Sequence, residues 1–206
     1  MTKTIYGEGE FMKPFKLFII FLIVLAIFIT PLGCTSEPKP VADEPIEQTK
    51  REQDQKEVND YLNELREWNE YLAEYANDVF PLEKELLALE DKRIEASKAG
   101  DSKKADSYME VEADKCEEVL EAWYAIYVPE IAKDFHNYST NSCIKHKQWL
   151  SYMVESGREL EAGILDFDAT KAQNLFDESD HLSAQADQEL ERIKRQLEQK
   201  AKELDL

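Results

Sequence analysis

Three histidines, three cysteines and six glycines among 206 residues leave little of what most catalytic motifs are built from. The shortage excludes several chemistries. There is no Cys-x-x-Cys-His for haem, no glycine-rich phosphate loop, no Gly-x-Ser-x-Gly elbow and no His-Glu-x-x-His. Positive charge is short as well: 25 Lys and Arg stand against 44 Asp and Glu, a net charge of −19. The first 33 residues hold three bases and two acids, which leaves 22 against 42, or −20, for the remainder. So acidic a chain repels nucleic acid and gains nothing from an anionic lipid surface. Scarce glycine, with Leu, Glu, Ala and Lys dominant after residue 45, favours helix over sheet.

Long apolar runs are absent except at one place. Met12-Lys13-Pro14-Phe15-Lys16 is a short basic segment, followed by the 13 apolar residues Leu17 to Ile29 and then Thr30-Pro31-Leu32-Gly33-Cys34. This is the plan of a signal peptide, residues 1–33. Thirteen residues give roughly 20 Å of helix, short of the ~30 Å hydrocarbon core, and Pro31 stops the helix. Glu8 and Glu10 do not suit a basic n-region. Glu8-Gly9-Glu10 corresponds to a purine-rich stretch just ahead of the Met12 codon, as in a ribosome-binding site read in frame, so residues 1–11 are read as untranslated and Met12 as the start.

Gly33-Cys34 after an apolar run resembles the lipobox of prokaryotic lipoproteins. The resemblance covers about residues 12–34, with Pro31 and Leu32 where that family usually has Leu and a smaller residue. It implies that Cys34 receives a diacylglycerol, that cleavage makes it the first mature residue, and that the chain is held at the extracytoplasmic face of the cell membrane through its lipid. The alternative is an uncleaved N-terminal transmembrane helix with the C-terminal domain outside. From Cys34 to Gln55 the chain is polar and proline-punctuated, and reads as a disordered tether.

Residues 56–206 are expected to form the domain. Val58, Leu65, Leu72, Val79 and Leu86 recur every seven residues, with Tyr61, Trp68, Tyr75, Leu82 and Leu89 between them. That is a long amphipathic helix with Pro81 as its kink. Gly100 marks a stop and Asp101 or Ser102 a restart. Met109, Ala113, Cys116, Leu120, Trp123 and Tyr127 form the second stripe, which Pro129 ends. Phe135, Tyr138, Ser142, His146, Trp149, Met153, Leu160 and Ile164 form the third. Asp168 caps a fourth helix that buries Ala172, Leu175, Leu182, Ala186, Ile193, Leu197 and Leu204. Short loops between long helices make this an all-α, elongated, antiparallel up-down four-helix bundle.

Within that frame, Glu178 and His181 match the Glu-x-x-His of di-iron bundles, but no second copy exists and a solvated face is the better reading. Cys143 and His146 lack a second ligand pair for zinc. Asn137-Tyr138-Ser139 matches a glycosylation sequon, a pattern frequent by chance. His146 lies on the buried stripe with Trp149 nearly one turn on, so His146, Trp149 and Trp123 are the candidate ligand contacts, against the commoner reading as core side chains.

Cys116 and Cys143 are nearly equidistant from the turn at Pro129, and antiparallel helices place such residues level. In a non-cytosolic compartment this predicts a disulfide, stabilising by about 3 to 4 kcal/mol. With no catalytic or cofactor constellation, the functional expectation is a non-enzymatic binding or scaffold module of the cell envelope, touching membrane lipid through Cys34 and an envelope protein through its helix faces. The alternative is a ligand-sensing or enzymatic bundle with an internal site near His146.

Overall fold

The computed structural model describes residues 45–164 and 167–206. The expected signal peptide, Cys34 and the first part of the expected tether lie outside the described residues. The described chain is helical, with no strand: α1 (Pro45–Glu74), a π-helical turn (Tyr75–Val79), α2 (Phe80–Lys98), α3 (Ser102–Ala125), a 3-10 turn (Glu130–Ala132), α4 (Lys133–Glu161) and α5 (Ala169–Glu203). Residue 58 divides the chain into two units, and residues 59–206 form an all-α helical bundle.

Helix starts at Pro45, ahead of the expected start at residue 56, so the last part of the expected disordered tether is helical instead. The reason is local. From Thr49 to Glu57 the side chains are exposed, most are good helix formers, and Gln53 donates to Glu57 one turn on at 3.2 Å.

The heptad seam is kept as far as Val79 and then shifts. Tyr75 and Val79 are buried, but the next buried positions are Glu83, Leu86, Glu90 and Arg93, while Leu82 and Leu89 are only half-buried. The cause is the π-turn, in which the Phe80 N–H bonds to the Tyr75 carbonyl five residues back. Such a turn absorbs one extra residue. It lies just before Pro81, whose ring would press on the carbonyl one turn back in a regular helix. At about 100° per residue, Tyr75 and Glu83 would diverge by about 80° in an unbroken α-helix, and losing one step brings them to within about 20°. Two glutamates thus enter the core where the repeat places leucines.

Helix ends follow their local chemistry. Gly100 has φ of +76°, and the Gly100 and Asp101 N–H groups bond to the Ser97 and Ala96 carbonyls, closing α2 in a Schellman motif. Asp101 then accepts from the Lys104 N–H at 3.1 Å, and Asp168 from the Thr170 and Lys171 N–H groups, capping α3 and α5.

Neighbouring helices meet in opposite order. Glu83 and Arg93 on α2 meet Trp123 and Glu112 on α3, while Glu110 and Glu117 on α3 pair with Arg158 and Lys147 on α4. Between α4 and α5, Ser142 and Ser179 exchange hydrogen bonds, each hydroxyl donating to the other's carbonyl at 2.9 Å. Both serines are buried, and their small side chains let the two backbones approach. Three stripe positions are exposed rather than buried: Tyr127, which follows an extended Ile126 beyond the end of α3, and Leu160 and Ile164, at and beyond the end of α4.

Candidate functional site: buried polar clusters of the core

The bundle encloses two groups of polar side chains. In the first, Glu83 accepts from the Tyr75 hydroxyl at 2.6 Å and from Trp123 Nε1 at 3.2 Å. No cation among the described residues offsets it, and burial pushes its carboxyl up to about 7, against the pull of those two donors. Trp123 also packs on Tyr75, and edge-on against His136 at 5.2 Å and Phe135 at 6.1 Å. Tyr71 lies edge-on to His136 at 6.3 Å. The Tyr71 hydroxyl and His136 Nδ1 are buried with no hydrogen-bond partner among the described residues. Burial lowers the His136 imidazole and raises the Tyr71 phenol.

The second group is built on Arg93. Its Nε donates to both carboxylate oxygens of Glu112, at 2.9 and 3.0 Å, and its NH2 lies 3.5 Å from Glu90. The guanidinium stands 5.1 Å from the Trp149 ring centre, a cation–π contact. Trp149 packs on His146 at 5.6 Å and edge-on against Phe176. Burial raises Glu112 to about 7 and raises Glu90, in each case against Arg93. The His146 imidazole falls to about 3, chiefly through burial and secondarily through Arg93, so it is neutral at any physiological pH.

The expected trio of contacts is therefore divided. His146 and Trp149 belong to the Arg93 group, whereas Trp123 belongs with Glu83 and His136; His136 lies ten residues from His146, about 15 Å along α4. Glu83, Glu90, Arg93, Glu112 and His136 were not legible as core from the sequence. Only the proline ahead of the shifted register hinted at the first two. Glu178 pairs with Lys145 at 2.6 Å and His181 is exposed, consistent with a solvated face. No three or more His, Cys, Asp or Glu side chains among the described residues are grouped to hold a metal ion.

Cys116 and Cys143 do lie side by side across α3 and α4, but as free thiols and not as the expected disulfide. The Cys143 thiol donates to the Cys116 backbone carbonyl at 3.6 Å and also lies in hydrogen-bonding contact with the Cys116 thiol. The hydrogen bond with the Cys116 side chain, and then burial, raise the Cys143 thiol well above its ordinary range, which makes it a poor nucleophile.

No protein-family model, curated protein or solved structure matches this chain.

Proposed function

We propose that this protein is a non-enzymatic binding or scaffold module of the cell envelope, held at the extracytoplasmic face of the membrane by lipid on Cys34. The observation that carries the reading against an internal catalytic site is that the core's charged groups and the Ser142–Ser179 pair are engaged within the core. Arg93 is taken by Glu112 and Glu90, Glu83 by Tyr75 and Trp123, Ser142 by Ser179. Groups tied up in this way hold the helices in register and leave the outer faces for recognition. Tyr124 and Tyr127 at the end of α3 are 64% and 63% exposed, aromatic surface of the kind enriched where proteins meet. The anchor rests on the basic segment, the apolar run and Gly33-Cys34. No helix among the described residues is long and apolar enough to cross a membrane.

A photo-crosslinking residue in place of Tyr124, in cells producing the full chain, tests the module. A discrete adduct to one envelope protein is the expected result. Absence of any adduct, from this position and from Tyr127, contradicts it.

The ligand-sensing alternative keeps one observation in its favour. The unpartnered Tyr71 hydroxyl and His136 Nδ1 are polar groups of a kind that buried ligands satisfy. They move that reading from His146 to His136.

A further inference from the structure

A groove of about 540 Å³ runs across α3, α4 and α5, on the outside of the bundle and apart from both buried clusters. Leu120, Ile144 and Leu175, one from each helix, give it an apolar floor. Ser151 and Tyr152 stand on one side. Two ammonium groups face it, Lys147 from α4 and Lys171 from α5. In a region carrying a net charge of −20, two cations at one concavity run against the prevailing charge.

The two lysines are not equivalent. Lys147 is paired with Glu117 on α3. Lys171 has no carboxylate in ion-pair range among the described residues, and its ammonium sits 4.3 Å from the centre of the Tyr152 ring. It also lies in the first turn of α5, where a cation gains nothing from the helix dipole. The ring beneath it is fixed in place: the Tyr152 hydroxyl accepts from the Asp168 N–H at 2.8 Å and donates to the Asp168 carbonyl at 3.3 Å, and Phe167 stacks on the ring. A held aromatic ring, an ammonium with no carboxylate partner among the described residues and an apolar floor in one concavity are the elements of a small-molecule subsite, and the volume lies within the ordinary range for one.

We infer that this groove binds a small organic anion with a flat or short apolar body, its charged end on Lys171 and its body over Leu120, Ile144 and Leu175. A cation is disfavoured by Lys171, and a fully polar anion leaves the floor unused. Glu155, the one carboxylate among the described residues lining the groove, sets the limit: its repulsion grows with each added negative charge, so a monoanion is favoured over a multiply charged anion. The inference does not depend on how the chain is anchored or on a protein partner.

The test is amine-reactive footprinting of the full chain in membranes, read by mass spectrometry at Lys171, with exposed Lys103 as the control outside the groove. The probes are 4-phenylbutyrate and, as its cationic counterpart, phenylbutyltrimethylammonium. Phenylbutyrate is expected to slow acylation of Lys171 severalfold while Lys103 is unchanged, and the cation to protect neither. Ser151→Trp, at an exposed position, fills the groove and is expected to abolish the protection while Lys171 still reacts. No protection by phenylbutyrate, equal protection by the cation, or protection undiminished in Ser151→Trp overturns the proposal.

Discussion

Tyr75, the first residue of the π-turn, donates its phenolic hydrogen to Glu83, eight residues on and beyond that turn, at 2.6 Å. That bond exists because the turn absorbs one residue and brings Glu83 onto the face that Tyr75 occupies. The same placement buries the carboxyl, and burial raises it to about 7 against the pull of the Tyr75 and Trp123 donors.

A pH dependence follows from that shift. An unfolded glutamate titrates near its ordinary value of 4.5, and folding raises Glu83 above it, so the folded state binds the proton more tightly. The stabilising contribution is fully present below 4.5 and is lost as pH rises through about 7, on the order of 3 kcal/mol in all. Glu83→Gln stays neutral and can still accept from Trp123. Thermal melts at pH 5 and pH 8 are expected to show the variant gaining on the parent at the higher pH; parallel pH profiles for the two proteins contradict the account.

Arg93→Met leaves Glu112 and Glu90 buried without their cation. An uncompensated buried charge costs about 3 to 5 kcal/mol. Urea titration is expected to show that loss, and the double change Arg93→Met with Glu112→Leu to recover much of it, because the charge to be buried has been removed along with its partner. A double variant as unstable as the single one would show that the ion pair is not the source of the effect.

Ser142 and Ser179 set the approach of α4 to α5. Ser142→Leu forces a larger side chain into that contact, at a cost of about 1 to 3 kcal/mol, and Ser142→Ala loses one hydrogen bond, worth about 1 kcal/mol. The urea midpoint is expected to fall in the order parent, alanine, leucine. An unchanged midpoint for Ser142→Leu would mean that the helices are not in close contact there.

Cys116 and Cys143 are expected to behave as thiols. Denatured without reductant, the protein should take up iodoacetamide at both positions; protection of both until a reductant is added would mean that the sulfurs pair.

The helical class, the stop at Gly100, a cap at Asp101 or Ser102, the Asp168 cap and the side-by-side cysteines were all legible in the sequence, because each depends on spacing or on one residue's local chemistry. What was not legible depends on a backbone event. Pro81 was visible as a perturbation, but the repeat of apolar residues continues past it in the sequence, so Leu82 and Leu89 looked like core. The π-turn changes the phase in space without changing the spacing along the chain. Glu83, Glu90 and Arg93 are thereby turned inward, each drawing a partner that pattern alone does not reveal. The division of His146 from Trp123 has a related origin: both follow helical stripes, and stripes carry no information on which pairs lie at the same height.

The central claim, a helical module displayed outside the membrane by lipid on Cys34, is tested most directly by the mass of the mature N-terminus. Protein extracted from membranes should yield an N-terminal peptide beginning at Cys34 and carrying a diacylglyceryl group, and Cys34→Ala should be shed or remain as the uncleaved precursor. A membrane-held protein whose N-terminal peptide still includes Leu17 to Ile29, or a Cys34→Ala variant with the parent's mature mass and retention, contradicts it.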